Sequence, residues 1–255
     1  MRYSVLTYIF GGYESVHEVL EKDKDAEYIL VTDDETLKSD TWNIIVDKMD
    51  GKSIMEKCYY VRFHPFVYVH TDMVVRLDSS IGINKPLGVF INKMEDGNYD
   101  RCLMIHPRRN TLTDEYHQWV RSRGYSQEQA DYCLHILTQE FYYDLSYKGL
   151  FQGCFEIVKY NYINREINHL TYMYLHDVAL NGDIDRIDQT ILTFVINYYF
   201  TGFLGTIKVL PVPQDVITDG RYMQWYYHGT NNPIKQFPSI EPMMFNKPCK
   251  VWMPT

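Results

Sequence analysis

Several short apolar runs in the first third of the chain each stop at a glycine or an aspartate, and this pattern constrains the fold more than any other. Gly11 and Gly12 follow the first run, Asp33 follows the second, and Asp78 ends the last. Buried strands separated by helices or loops predict an α/β domain with a mixed, mostly parallel sheet flanked by helices. The runs are Tyr3–Phe10, Tyr28–Thr32, Trp42–Val46 and Met73–Leu77.

The rest of the chain is predicted to be mainly helical. A strand is expected over Gly149–Val158, and the tail from Pro211 onward, which holds most of the ten prolines, is expected to be extended and to wrap over the body. We predict a single domain over 1–255, with a nucleotide-binding half (1–110), an acceptor-side half (111–210) and a wrapping tail (211–255). The predicted helices are Thr113–Arg123, Gln127–Phe141, Asn164–Leu180 and Asp188–Tyr199.

Composition narrows the classes of partner and compartment. The formal net charge of −8 argues against nucleic acid, because proteins that bind its backbone carry a basic face. The five cysteines have no paired spacing, which predicts reduced, mostly buried thiols. Neither a signal peptide nor an unbroken membrane span is predicted, so we expect a cytoplasmic protein. Peripheral association with the inner face of the membrane remains an open alternative.

Two segments have residue types suited to binding a nucleotide. Gly11 and Gly12 let the backbone approach a ligand, although a plain turn is the more common role of such a pair. Asp33 offers a carboxylate to a base or ribose, and it would equally well begin a turn. Arg62 and His64, in VRFHPF, would reach a phosphate; the alternative is that Arg62 stacks on neighbouring aromatic rings.

A second group of residues is suited to a cation and a reacting sugar. Asp78 is a hard oxygen ligand for Mg²⁺ or Mn²⁺, or else a cap of the segment that follows it. Asp188 and Gln189 open a helix, where N-capping is the ordinary role of an aspartate. His228 in the tail would complete a metal site if the tail folds back, and is otherwise an exposed loop histidine.

In order along the chain, YSVLTYIFGGYE, YILVTDDETLKSDTW, VRFHPF, MVVRLDSSI and RIDQT resemble the motifs of the TOD1/MUCI70 glycosyltransferase-like family. The resemblance covers roughly residues 1–200. It implies a GT-A-type, Rossmann-like domain with a layout similar to family 8 glycosyltransferases, which are retaining and metal-dependent.

The resemblance also implies roles for individual residues. Asp78 would be the first aspartate of the metal-binding DxD motif, with Ser80 at the position of the second, and His228 would supply the last ligand of Mn²⁺ or Mg²⁺. A serine hydroxyl is a weaker ligand than a carboxylate, which weakens the implied metal site. Asp188 and Gln189 would face the donor sugar or the acceptor. The implied nucleotide and donor residues are Thr7, Tyr8, Gly11, Gly12, Tyr13, Asp33, Arg62 and His64.

The predicted function is transfer of a hexose from a nucleotide-diphosphate sugar, with UDP as the expected nucleotide, to a glycan or glycolipid acceptor in surface polysaccharide synthesis. Two alternatives stay open. A nucleotidyltransferase would make such a donor, but GGYES lacks the basic residue expected in its phosphate loop. A non-catalytic carbohydrate-binding module would explain the 23 tyrosines equally well.

Overall fold

The protein is built on a seven-stranded sheet. Its computed structural model describes residues 2–122, 125–140, 142, 144–182, 187–199, 207–235, 243–244 and 247–254. The strands are β1 (Tyr3–Ile9), β2 (Ala26–Thr32), β3 (Asn43–Val46), β4 (Met73–Leu77), β6 (Arg101–Ile105), β7 (Phe151–Lys159) and β8 (Val209–Val212). Their order in the sheet is β3-β2-β1-β4-β7-β6-β8. Only β7 runs antiparallel to its neighbours in this sheet. The predicted α/β class with a mixed, mostly parallel sheet is confirmed, and it is consistent with a Rossmann-like domain.

Helices cover both faces of the sheet. One face packs α2 (Gly88–Asp96) against residues such as Val75 and Ile157, and the other face packs two further apolar clusters under the remaining helices. Those helices include α1 (Ile54–Phe63), α3 (Leu112–Ser122), α4 (Gln127–His135), α5 (Tyr162–Gly182) and α6 (Asp188–Tyr199). No helix within the described ranges is long and apolar enough to cross a membrane.

The local sequence explains where α1 and α4 begin. Ser53 accepts a hydrogen bond from the Glu56 amide while the Glu56 side chain accepts one from the Ser53 amide, and Ser126 and Gln129 repeat this arrangement. Such capping boxes satisfy amides that have no partner within the helix. A π-helical turn, Ile136–Glu140, follows α4. The predicted helix ends at Arg123 and Phe141 lie outside the described residues.

The tail differs from the extended segment that was predicted. Pro211 lies within β8, and short elements follow: α7 (Asp215–Thr218), β9 (Met223–Trp225), β10 (Met243–Met244) and β11 (Lys247–Pro248). Because β8 is an edge strand, the missing proline N–H breaks no bond to a further strand. β9 pairs antiparallel with β5 (Ile81–Ile83), which directly follows the turn after β4. This pairing brings the tail to the carboxyl end of β4.

The cysteines agree with the prediction of reduced thiols. Within the described residues none of the five forms a disulfide, and four of them are buried: Cys58, Cys102, Cys133 and Cys154. Burial raises the pKa of the Cys102 and Cys154 thiols, which keeps them protonated and unreactive.

Candidate functional site

The candidate site lies at the carboxyl ends of β1, β2 and β4, the edge where open α/β sheets bind ligands. A hollow of about 510 Å³ lies at the opposite edge and is lined by charges of both signs, including Arg2, Asp25 and Asp72. None of the predicted site residues lines that hollow. We therefore build the site at the carboxyl edge, where those residues converge.

The loop after β1 is held in place by Asp33. Its carboxylate accepts a hydrogen bond from the Gly11 amide at 2.9 Å and pairs with Lys57 Nζ at 2.9 Å. Partial burial acts to raise the pKa of Asp33, but the Gly11 amide and the Lys57 ammonium lower it. Gly11 and Gly12 both have positive φ, of 68° and 63°, which glycine adopts without strain. The structure thus places Asp33 as a brace of the glycine loop.

Two more predicted residues lie on β1 and its loop. The Tyr8 ring is buried, and burial raises the pKa of its hydroxyl, with a further contribution from the nearby Asp78 carboxylate. The Tyr13 hydroxyl lies 2.9 Å from Ser79 Oγ and so joins the loop after β1 to the loop after β4. Thr7 has a buried hydroxyl that finds no hydrogen-bond partner in the described part of the chain.

A buried charge network lies beneath this edge, and sequence reasoning missed its centre. Glu156 on β7 faces Arg76 on β4 directly across the sheet, and it accepts from Arg76 Nε at 2.6 Å. It also accepts from Arg101 Nε at 3.1 Å and from Arg101 Nη2 at 2.6 Å. Burial would raise the pKa of Glu156, but Arg101, Arg76 and Arg62 lower it to about 2. Glu156 is therefore a buried anion balanced by guanidinium groups.

The signal that would have revealed this network is a single charge inside each of three apolar strand segments. MVVRL, RCLMI and CFEIV each contain one such residue: Arg76, Arg101 and Glu156. Charged groups are seldom fully buried unless they are paired, so isolated charges in buried strands predict one another as partners.

Two arginines connect the network to the carboxylates at the sheet edge. Arg76 Nη1 donates to Asp78 Oδ1 at 3.0 Å, and Arg76 Nη2 donates to the Gly153 carbonyl. Arg62, from the end of α1, forms an ion pair with Asp188 at the start of α6. The Asp78 and Asp188 side chains are 35% and 20% exposed, so they form the solvent-facing layer above the buried arginines.

Arg62 is only 4% exposed, and two of its donors are unsatisfied. Its Nε lies 3.7 Å from Glu156 Oε1, and neither Nε nor Nη2 has a hydrogen-bond partner among the described residues. A Cβ at Gly153 would lie 2.5 Å from Arg62 Nη2, so any larger residue there would require the guanidinium to shift. Burial and the neighbouring Arg76 lower the pKa of Arg62. Buried donors without partners are costly in a native protein and often mark a functional role.

Two predicted residues lie away from this cluster. His64 packs between the rings of Tyr60 and Tyr172, at centroid distances of 4.6 and 4.7 Å, and burial lowers the pKa of its imidazole. Gln189 is buried and donates to Glu115 Oε1 at 2.7 Å. The structure does not bring either side chain to Asp78.

The tail does return to the site through His228. His228 Nδ1 lies 3.0 Å from Glu14 Oε2, and its ring contacts Tyr13 edge-on at 6.1 Å. Ser80 is fully buried, and its hydroxyl accepts a hydrogen bond from the Trp225 indole at 3.2 Å. The structure therefore places His228 beside the glycine loop and Ser80 inside the β5–β9 contact.

The side chains at the site supply only part of the ligand set that the implied cation needs. Asp78 Oδ2 and His228 Nε2 have no hydrogen-bond partner in the described ranges, and both belong to side chains that are partly or largely exposed. The Ser80 hydroxyl is buried against Trp225 and does not complete the set. Within the described residues, no three His, Cys, Asp or Glu side chains come close enough to hold a metal ion. Asp78 and His228 remain, without a direct contact between them in the described ranges, and Mg²⁺ often binds through one or two carboxylates together with substrate phosphates.

Comparison with known proteins gave no relative: no family model matches the chain, and no curated protein matches it.

Proposed function

We propose that this chain is a glycosyltransferase that moves a hexose from a nucleotide-diphosphate sugar, with UDP as the expected nucleotide, to a glycan or glycolipid acceptor. One observation supports this most strongly. Four separate segments of the sequence converge at one sheet edge. Tyr13 contacts Ser79, Arg62 contacts Asp188, and Glu156 links the two pairs because it lies against both Arg62 and Arg76.

The loop after β1 would hold the nucleotide. Gly11 and Gly12 keep side chains away from the backbone there, and the buried Thr7 hydroxyl has bonding capacity to spare. Asp33 braces this loop through the Gly11 amide, so its contribution would be to the shape of the loop. The exposed rings of Tyr13 and Tyr227 give apolar faces on which a base or a sugar would stack.

Arg62 and Asp188 would act at the reacting end of the donor. The bond from the sugar C1 to the diphosphate oxygen breaks, and its electron pair leaves on that oxygen. The acceptor oxygen bonds to C1, and its proton passes to the released nucleotide diphosphate. A retained configuration at C1 is proposed on the resemblance alone. The Arg62 guanidinium would stabilise the charge that develops on the diphosphate, and the Asp188 carboxylate would face the sugar or the acceptor.

Asp78 and His228 would hold Mn²⁺ or Mg²⁺, which would neutralise the diphosphate when bound. The Arg76 guanidinium already places its positive charge beside the Asp78 carboxylate, so we expect the site to bind a cation weakly when no nucleotide is bound. The diphosphate oxygens would supply the missing ligands. Cation and nucleotide are therefore expected to bind cooperatively.

The test is a thermal-shift screen of UDP, GDP and CDP, each with Mn²⁺ or with a chelator. A nucleotide at about 100 times its Kd should raise the Tm by several degrees, because it binds only the folded state. UMP, which lacks the second phosphate, is the matched control and should give a smaller shift. If none of the diphosphates stabilises the protein, the proposal is wrong.

The screen also separates the two alternatives. A nucleotidyltransferase would respond to nucleoside triphosphates and release pyrophosphate when a sugar phosphate is added. A carbohydrate-binding module would respond to glycans and to no nucleotide. Glycosyl transfer itself is measured as release of UDP from UDP-hexoses in the presence of oligosaccharides.

A further inference from the structure

Glu14 is a buried carboxylate that the predicted function leaves unexplained. It directly follows the GGY loop, and its side chain is fully buried. Its Oε1 accepts from the Gly229 amide at 2.9 Å, and its Oε2 lies 3.0 Å from His228 Nδ1. His17 Nε2 lies 4.0 Å from Oε1 on another side. Both hydrogen bonds join residues more than two hundred positions apart, so Glu14 ties the tail to the first loop.

The surrounding contacts fix this segment of the tail. The Tyr226 amide donates to the Ser80 carbonyl at 2.9 Å, and the Tyr226 ring stacks on His17 at 4.5 Å. Gly229 has a φ of 67°, which turns its amide toward Glu14 in a conformation that glycine favours. The His228 ring is thus held at a defined position while its side chain stays 65% exposed.

The chemistry of this contact fixes the histidine tautomer. An ionised carboxylate only accepts hydrogen bonds, so His228 Nδ1 must carry the proton that it shares with Glu14. In the neutral ring, Nε2 then has a free lone pair and faces away from Glu14. A lone pair binds a cation, whereas an N–H at the same atom would instead donate to a phosphate oxygen.

We propose that Glu14 is a positioning residue that holds His228 in the Nδ1–H tautomer and so presents Nε2 as a cation ligand at the nucleotide site. This inference rests on the proposed function for the role of the cation, but the tautomer itself can be measured independently. Carboxylates that orient a metal-binding histidine through its other nitrogen typically change metal affinity about 10- to 100-fold when they are mutated.

The substitution Glu14→Gln reverses the tautomer with almost no change of shape. The glutamine carbonyl oxygen would keep the Gly229 hydrogen bond, which places the amide nitrogen against His228 Nδ1. That nitrogen donates, so Nδ1 would have to accept, and the proton would move to Nε2. The lone pair that binds the cation would then be lost.

The first measurement is the nitrogen NMR spectrum of the histidine side chains in the full chain, at about pH 9, where an ordinary histidine is neutral. His228→Asn assigns the signal by its disappearance. The wild type should show the Nδ1–H form and Glu14→Gln the Nε2–H form. Glu18→Gln is the control, since Glu18 is hydrogen-bonded to Ser39 and Thr41 and should leave the tautomer unchanged. An Nε2–H tautomer in the wild type overturns the proposal even if the variant does not fold.

The second measurement is calorimetric binding of UDP with and without Mn²⁺. Glu14→Gln should weaken Mn²⁺-dependent UDP binding by about 10- to 100-fold. The double variant with His228→Asn should lose no more than His228→Asn alone, because Glu14 acts through that ring. Additive losses, or no loss in Glu14→Gln, would contradict the positioning role. If the wild type binds no nucleotide diphosphate, the proposed function fails, while the NMR result still decides the tautomer.

Discussion

The two layers of charge at the carboxyl edge of the sheet behave differently. In the inner layer, Glu156, Arg76 and Arg101 are at most 1% exposed, and both arginines donate hydrogen bonds to Glu156. In the outer layer, Asp78 and Asp188 are 35% and 20% exposed, and each has one arginine partner. The inner layer has no access to a ligand, so its role is to fix positions. The outer layer keeps carboxylate oxygens available for chemistry.

The layers are coupled because their charges balance. Glu156, Asp78 and Asp188 carry three negative charges, and Arg62, Arg76 and Arg101 carry three positive ones. Removing an inner charge would leave a buried ion uncompensated, whereas neutralising Asp78 leaves the pairing of Arg76 with Glu156 intact. The comparison therefore predicts large losses of stability from inner changes and losses of function from outer ones.

The largest effect is expected for Glu156→Gln. The substitution keeps the shape of the side chain but leaves two fully buried guanidinium groups without their carboxylate. Removing one partner of a buried ion pair typically costs about 3–5 kcal/mol, so the free energy of unfolding in urea should fall by that amount. Glu27→Gln, the same change at an exposed position of β2, is the control and should alter stability by less than about 0.5 kcal/mol. Equal stability of both variants would contradict the inner layer's structural role.

Lowering the pH should gradually remove the stability that the ionised Glu156 carboxylate contributes. A pKa lowered from 4.5 to about 2 in the folded state corresponds to about 3 kcal/mol of stability that is fully present above pH 4.5. It is lost as the pH falls from about 4.5 toward 2, because the unfolded chain takes up the proton first. Unfolding free energies of the wild type and Glu156→Gln should converge over this range. Parallel pH profiles would show that folding does not lower the pKa of Glu156.

The outer layer could be predicted from the sequence better than the inner one. Asp78 was found because it directly follows an apolar run, which is a local pattern, and the same pattern pointed to Asp33 and the glycine pair elsewhere at this sheet edge. Glu156 and Arg76 meet only because β7 pairs antiparallel with β4, eighty residues apart along the chain. No local periodicity specifies that pairing or its register.

The same limit applies to the tail and to parts of the sheet. β6 and β8 were not predicted, because RCLMI contains an arginine, which is seldom buried without a partner, and VLPV a proline, which is unusual in strands. Helix α1 was not predicted either, and its start depends on the Ser53 capping box. The contact of Glu14 with His228 required the β5–β9 pairing, which is non-local as well.

An intermediate effect is expected where the two layers meet, at Gly153. Its φ is not positive, so replacing it with alanine would ordinarily stabilise the protein by about 0.4–1 kcal/mol. The new Cβ would instead lie 2.5 Å from Arg62 Nη2 and push the guanidinium away from Asp188. We expect a net destabilisation of about 1–3 kcal/mol in urea unfolding, as for other overpacked cores. The sign of the change in the free energy of unfolding tests this prediction, since a more stable Gly153→Ala variant would mean that Arg62 moves aside freely.

The smallest effect on stability, with a large effect on function, is expected for Asp78→Asn. The asparagine oxygen still accepts a hydrogen bond from Arg76 Nη1. Because about a third of the Asp78 side chain is exposed, solvent already screens the charge interaction that the substitution removes, and the free energy of unfolding should change by at most about 1 kcal/mol. Asp72→Asn, placed just before the other end of β4, is the matched control. Asp78→Asn should abolish both the Mn²⁺-dependent thermal shift with UDP and hexose transfer, because the amide nitrogen cannot replace a carboxylate oxygen as a ligand. Asp72→Asn should retain both. Wild-type UDP binding in Asp78→Asn would place the chemistry elsewhere and leave the outer layer with the same structural role as the inner one.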